Sequence, residues 1–257
     1  MTTTDDSYYY LLAEYRKRDN YDLVFRTTLV DLAGKLDLKW VRSCVAFGTG
    51  SGEHEIEFIR HLLPNLSEII AVDPDHESIK ALRSNFENAQ FPGLKTTITE
   101  ASLENWNGTA KPVDLALFFN IIYHVESAPR QQLLHKLRTQ YLNPHGAVII
   151  IENGSPDTSG YIRLMKRLGY PQDNWYRDIE KEVVACGFRV DEVHDIVSTR
   201  DLSQPTEGVL KYVALLFDNA ISLDTIHAAI DEIYGDHDPT VKHIVKKMAI
   251  FKNGSQI

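Results

Sequence analysis

The 257-residue sequence predicts an α/β fold in which helices cover both faces of a mostly parallel sheet. Two observations lead to this prediction. Short apolar runs alternate with helix-like patterns between residues 41 and 153, and a glycine-rich turn directly follows the first apolar run. Strands that are apolar throughout are typical of parallel sheets, because helices bury both of their faces.

The first forty residues predict two amphipathic helices that precede the sheet. Apolar residues recur at helical spacing from Tyr9 to Tyr15 and again from Leu23 to Leu36. Strands and helices then alternate. The predicted boundaries are a strand at 41–47, a helix at 53–63, a strand at 68–73, a helix at 74–88, strands at 94–101 and 113–120, a helix at 128–141, a turn at 144–146 and a strand at 147–153.

The regular alternation stops after residue 153. A long insertion at this point is a typical place for substrate-specific structure. The predicted elements there are a loop-and-helix segment at 154–187, an alternating strand at 188–199, helices at 207–218 and 222–234, and a last strand at 245–252.

Charge and cysteine content exclude several classes of function. The chain has 27 Lys and Arg against 36 Asp and Glu, a net charge of −9, whereas nucleic-acid binding needs a basic surface. Two cysteines, Cys44 and Cys186, are too few for a disulfide scaffold and too far apart for a zinc site, so no metal is predicted. We find neither a secretory signal nor a membrane-spanning run. We therefore expect a cytoplasmic protein, a monomer or a weak dimer, that binds neither nucleic acid nor membrane.

The glycine-rich turn at 47–53 (FGTGSGE) is the strongest functional signal. Its glycines permit positive φ and a close approach of a ligand to the backbone. Asp73 ends the next predicted strand, where an acidic residue can bind ribose hydroxyls. A dinucleotide fingerprint would have glycine at position 53, but this chain has Glu53, whose carboxylate would repel a diphosphate. The motif therefore favours a nucleoside without phosphates over a dinucleotide, and S-adenosylmethionine is the leading candidate. The alternative is a glycine-rich turn that binds no ligand, and the motif favours a bound nucleoside over it.

Two further positions are predicted at the carboxyl edge of the sheet, where open α/β folds bind ligands. Phe119 and Asn120 end the fourth strand, and Ser102 follows the third strand. Ser102 is equally suited to contact an adenine or to cap the segment that begins at Leu103.

These residues resemble class I S-adenosylmethionine-dependent methyltransferases, and within that superfamily the histamine N-methyltransferase family. The narrower resemblance also rests on the loop NIIYHV after the fourth strand and on the stretches MKRLGYPQDNWY and DIVSTRDLS. It implies a Rossmann-like fold with seven strands, S-adenosyl-L-methionine as cofactor and S-adenosyl-L-homocysteine as product. The cofactor contacts that it implies are Gly48, Thr49, Gly50, Gly52, Asp73, Pro74, Ser78, Ser102 and Phe119.

The resemblance also implies methyl transfer to a nitrogen of a small amine or imidazole-bearing acceptor. Asn120 stands where the family has a Gln that reaches the amine, and His124 stands where it has a Tyr. We assign both residues to positioning the acceptor for catalysis. The other substrate contacts implied by position are Tyr15, Asp22, Met165, Tyr176 and His243.

Several alternatives stay open. Tyr15 either packs the N-terminal helix or lines the pocket, since aromatic faces attract ammonium and sulfonium groups. His124 could be an ordinary loop residue, and Asp19 competes with Asp22 as the substrate acid. The reaction could be O-methylation or methylation of another small molecule, or the chain could bind the cofactor without catalysis.

We predict a single methyltransferase domain over 1–257. It comprises an N-terminal helical cap (1–40), a cofactor-binding core (41–153) and a substrate-specificity region with the closing strands (154–257).

Overall fold

The computed structural model describes residues 8–154, 160–170, 176–235 and 242–253. These residues form a seven-stranded sheet in the order β3-β2-β1-β4-β5-β7-β6. The pairs β3-β2, β2-β1, β1-β4 and β4-β5 are parallel. The strands are β1 (Ser43–Phe47), β2 (Glu68–Asp73), β3 (Lys95–Glu100), β4 (Val113–Phe119), β5 (Leu142–Asn153), β6 (Phe188–Thr199) and β7 (His243–Asn253). The predicted α/β fold with a mostly parallel sheet is confirmed.

Helices connect most of the strands. The α-helices within the described ranges are α1 (Tyr8–Arg16), α2 (Tyr21–Leu32), α3 (Glu53–Leu62), α4 (His76–Ala89), α5 (Ser127–Lys136), α6 (Gly160–Arg167), α7 (Tyr176–Ala185), α8 (Glu207–Leu215) and α9 (Leu223–Tyr234). A 3-10 turn at Ile122–His124 follows β4. No helix in these ranges is long and apolar enough to span a bilayer.

One prediction at the start of β5 is wrong, and the helix before it changes type. The helix predicted to end at residue 141 does end there, but its last turn is a π turn, Leu137–Tyr141, that continues α5. The turn predicted at 144–146 lies inside β5, because the Asn143 side-chain amide donates to the Asp114 carboxylate at 2.6 Å. The pairing of β4 with β5 changes register at this place, so the chain bulges within the strand instead of leaving it.

The chain divides into two compact units, and the larger one contains the parallel part of the sheet. We call it the core unit; it comprises Phe25–Glu152, Asn174–Asp195 and Lys247–Ile257. Apart from Ser43 and Asp114, every residue of β1 and β4 is buried. Asp75 caps α4 by accepting a hydrogen bond from the Ser78 N–H at 2.7 Å. The parallel order brings the carboxyl ends of β1, β2 and β4 to one edge, where the glycine-rich turn begins.

The second unit is mostly helical, and we call it the helical unit. It comprises Met1–Val24, Asn153–Asp173 and Ile196–Lys246. Side chains of α1, α6, α8 and α9 form its apolar core. Thr206 and Ser222 cap α8 and α9 by accepting hydrogen bonds from backbone N–H groups. Our prediction of a single domain stays a prediction.

Candidate functional site

The glycine-rich turn of the core unit packs directly against the segment that follows β4. The Gly48 N–H donates to the Val72 carbonyl at 2.7 Å, and Gly48 has φ 60°. A Cβ atom at Gly48 would lie 2.8 Å from the Ile121 Cβ, closer than two carbon atoms can approach. Only glycine therefore fits here, because both the backbone angle and the contact with Ile121 exclude a side chain.

The carboxylate of Asp73 holds the same turn from the end of β2. Asp73 is 6% exposed. Its Oδ2 accepts a hydrogen bond from the Gly50 N–H at 2.7 Å, and its Oδ1 accepts one from the Asp75 N–H at 2.9 Å. A carboxylate oxygen can accept more than one hydrogen bond, so Asp73 retains capacity for the two hydroxyls of a ribose.

Thr49 provides a further polar atom in the turn. Its Oγ1 is buried and has no hydrogen-bond partner among the residues that the structure describes. A buried hydroxyl without a partner is costly, and an atom of a bound ligand could pair with it. Thr49 and Asp73 thus provide polar groups that fit a nucleoside bound at the turn.

Asn120 and His124 lie in the segment that follows β4. Asn120 has φ 59°, an uncommon angle for a residue other than glycine, and its N–H donates to the Ile151 carbonyl at 2.7 Å. His124 is exposed at the end of the 3-10 turn, with its ring 4.4 Å from the Tyr123 ring. Asn120 thus lies at the predicted edge of the sheet and His124 follows it by four residues, and the roles of both stay predictions.

Phe119, a predicted cofactor contact, has its ring in the core of the protein. The side chain is 5% exposed, and its ring centroid lies 5.2 Å from that of Phe58 and 6.1 Å from that of Phe25. The ring therefore belongs to an aromatic cluster of the core, so a cofactor contact at this position would come from the backbone.

The remaining predicted cofactor residues differ in burial. Pro74 is exposed, while Ser78 is buried in the first turn of α4. The Ser102 Oγ accepts a hydrogen bond from the Asn105 N–H at 3.3 Å, so Ser102 stabilises a turn, as the capping alternative predicts. Ser102 also lines a groove of about 830 Å³ between the face of β3 and the segment 105–113. No residue of the glycine-rich turn lines this groove.

Tyr15 is buried within the helical unit and is 3% exposed. Its hydroxyl accepts a hydrogen bond from the Arg200 Nη1 at 2.6 Å, and its ring stacks on Tyr212 with centroids 4.6 Å apart. Arg200 also forms an ion pair with Asp19. Burial raises the pKa of the Tyr15 hydroxyl well above its usual value. These contacts favour the packing alternative for Tyr15 and occupy Asp19, the competitor of Asp22.

The other predicted substrate residues are distributed over both units. In the helical unit, Asp22 is exposed near the start of α2, Met165 is buried in α6, and His243 is half-buried at the start of β7. Tyr176 begins α7 in the core unit, and its side chain lies outside the described residues. Their contacts with a substrate stay predictions.

We expect Tyr15→Phe to destabilise the protein, because the Arg200 guanidinium would lose a buried partner. The free energy of unfolding should fall by about 1–3 kcal/mol in chemical denaturation. Tyr10→Phe is a matched control, since Tyr10 is 45% exposed, and it should change stability by less than about 0.5 kcal/mol. An unchanged stability for Tyr15→Phe together with a raised KM for the acceptor would instead assign Tyr15 to the substrate site.

Arg130 on α5 is a charged residue that is 2% exposed and that is not among the residues predicted from the sequence. The signal for its burial in the sequence is its spacing from three leucines. Arg130 precedes Leu133, Leu134 and Leu137 by three, four and seven residues, which places it on the buried face of the helix.

Comparisons with known proteins agree with this geometry. A family model described as a methyltransferase domain matches residues 45–146. No curated protein matches the chain. Solved structures with the same fold include a candidate methyltransferase of Bacillus halodurans, at 13% identity and a TM-score of 0.62, over 90% of this chain and 99% of that one.

Two other solved structures show how widely the fold is used. One is the magnesium protoporphyrin IX methyltransferase of Synechocystis with bound S-adenosylhomocysteine, at 12% identity and a TM-score of 0.56, over 94% of this chain and 86% of that one. The other is the [4+2]-cyclase SpnF, at 11% identity and a TM-score of 0.57, over 90% of this chain and 82% of that one. At such low identity, these similarities show the fold alone. The chain therefore has the Rossmann-like fold of class I methyltransferases, and its residues 45–146 match the methyltransferase-domain family.

Proposed function

We propose that this protein transfers a methyl group from S-adenosylmethionine to a nitrogen of a small amine or imidazole-bearing acceptor. The observation that carries the proposal is the position of Asn120. This amide side chain stands on a positive-φ residue at the end of β4, and the next residue, Ile121, packs on Gly48 of the glycine-rich turn. An amide at this edge can donate to or accept from a polar acceptor.

The residues in and beside the turn fit the cofactor. Asp73 offers a carboxylate for the ribose hydroxyls, and Thr49 offers a buried hydroxyl that no described residue pairs with. When bound, S-adenosylmethionine supplies an electrophilic methyl group on a sulfonium. The net charge of −9 is compatible with binding a sulfonium and a cationic acceptor.

The task of the protein in such a reaction is chiefly to orient the acceptor, because methyl transfer is an in-line displacement by a lone pair. We assign this positioning to Asn120 and His124. A neutral imidazole already has a free lone pair. An alkylammonium must first lose a proton, and the exposed imidazole of His124 is a group that could accept it.

We expect Asn120→Gly to lower kcat/KM for the acceptor by about tenfold to a hundredfold, because a misplaced nucleophile loses alignment with the methyl group. Glycine is the informative replacement, since it tolerates φ 59° and removes only the side chain. The affinity for S-adenosylhomocysteine, measured by calorimetry, should stay within about threefold of the wild-type value, which is under 0.7 kcal/mol. An unchanged turnover would contradict the positioning role.

The experiment that tests the proposal as a whole is incubation of the protein with S-adenosylmethionine and a panel of imidazoles, alkylamines and phenols, followed by mass spectrometry. We expect methylation at nitrogen in the imidazole or amine members. Methylated phenols alone would assign the protein to O-methylation. Binding of S-adenosylhomocysteine without methylation of any member would favour a catalytically silent module.

A further inference from the structure

An ion pair between a buried arginine and a partly buried glutamate joins α5 to α7 in the core unit. Arg130 on α5 is 2% exposed, and its guanidinium contacts Glu182 on α7 with two hydrogen bonds. The Nε donates to Oε2 at 2.6 Å and the Nη2 donates to Oε1 at 2.8 Å. This two-point geometry fixes the plane of the guanidinium and so fixes the direction of its remaining N–H groups.

The third nitrogen of Arg130 points at the segment that follows β4. Its Nη1 donates to the Val125 carbonyl at 2.9 Å and to the Ile122 carbonyl at 3.2 Å. The Ile122 carbonyl belongs to the 3-10 turn that carries His124, and Val125 is the residue that caps it; the turn comes directly after Asn120 and Ile121. A single guanidinium therefore holds both carbonyls of the turn at a defined distance from α7.

Glu182 is held as a carboxylate in this arrangement. Partial burial acts to raise its pKa, but hydrogen bonds from Arg130 and from the Ser127 hydroxyl outweigh that effect, so the pKa lies below its usual value. The Ser127 Oγ donates to the Glu182 Oε1 at 2.6 Å. Glu182 is therefore negatively charged at neutral pH, and its carboxylate accepts hydrogen bonds from both Arg130 and Ser127.

We propose that Arg130 and Glu182 are positioning residues for the acceptor site: they hold the 3-10 turn so that Asn120 and His124 keep their orientation at the edge of the sheet. The proposal rests on the proposed function, in which these two residues orient the acceptor. A buried ion pair often adds little net stability compared with apolar residues of similar size. Such a pair can instead favour one arrangement of the segment that it contacts, here the 3-10 turn.

Three variants separate positioning from stability. Glu182→Gln keeps the size of the side chain but presents an amide N–H₂ to the guanidinium. Arg130→Met removes the donors and leaves a partly buried carboxylate without its cation. The double variant Arg130→Met/Glu182→Gln removes both charges, and hence the unpaired charge, while the carbonyls of Ile122 and Val125 still lack their donor. Glu180→Gln, on the same helix, is the matched control.

The first measurement is hydrogen–deuterium exchange of the protein loaded with S-adenosylhomocysteine, which needs no known acceptor. We expect the His124 and Val125 amides, which close the turn by donating to Ile121 and Ile122, to exchange about tenfold faster in Glu182→Gln and in the double variant. The Glu180→Gln control should match the wild type. Unchanged exchange in Glu182→Gln and in the double variant would overturn the proposal whether or not the protein is a methyltransferase.

The second measurement uses an acceptor from the panel. We expect kcat/KM to fall about tenfold in Glu182→Gln and in the double variant, with the affinity for S-adenosylhomocysteine within about threefold of wild type. The melting temperature should recover in the double variant relative to Arg130→Met, while kcat/KM should not. A double variant that regains both stability and turnover would show a purely structural ion pair and would overturn the proposal.

Discussion

Gly48→Ala is expected to weaken binding of S-adenosylhomocysteine by about a hundredfold, roughly 3 kcal/mol. Two effects act together. The backbone angle of φ 60° is strained for alanine, and the new Cβ would lie 2.8 Å from the Ile121 Cβ. Because the Ile121 Cβ is attached to the backbone, a change of rotamer cannot relieve the overlap. Either the glycine-rich turn or the segment after β4 has to move.

Gly93→Ala separates these two effects. Gly93 has φ 76° and no atom within 4 Å of an added Cβ, so alanine there carries the backbone strain without the overlap. It precedes the amino end of β3, at the opposite end of the strand from the site. We expect it to lower stability by about 1–2 kcal/mol and to leave the calorimetric affinity for S-adenosylhomocysteine unchanged. If Gly48→Ala also left this affinity unchanged, the turn would not be the cofactor site.

The fold was predictable because its main determinants are local in the sequence. β2 and β6 begin and end at the predicted residues, since each apolar or alternating run is bounded by a turn. The position of Asp73 beside the glycine-rich turn was also predictable. A parallel order places the end of β2 next to the turn that follows β1. β5 departs most from its predicted range, because the contact between Asn143 and Asp114 lies in a turn-like sequence that stays in the strand.

The contacts of buried polar side chains were less predictable, because they depend on residues far apart in the sequence. The sequence predicts Tyr15 as a candidate pocket residue. Its partner in the structure is Arg200, which lies 185 residues away in the sequence. Arg130 has a periodic signal for burial, but nothing local to it indicates that Glu182 on another helix neutralises it. Long-range pairing of this kind decides which aromatic and charged residues remain available for a substrate.

The second large effect is expected for Asp73→Asn, which should weaken binding of S-adenosylhomocysteine by about a hundredfold. An asparagine loses the negative charge and replaces one acceptor oxygen by an N–H₂ group, which cannot accept from Gly50 or Asp75. Asp75→Asn is the control, because asparagine is as good a helix cap as aspartate. Its affinity for S-adenosylhomocysteine should stay within about twofold, or 0.4 kcal/mol.

Asp73 could act by binding the ribose or merely by holding the Gly50 N–H, and a second ligand tells these roles apart. The 2′-deoxy analogue of S-adenosylhomocysteine lacks one of the hydroxyls that a carboxylate would accept from. If Asp73 binds the ribose, the analogue should bind wild-type protein more weakly than the parent ligand, while Asp73→Asn should bind the two ligands about equally. If Asp73 only holds the turn, the substitution should weaken both ligands by the same factor, because the lost contact with Gly50 is common to both complexes.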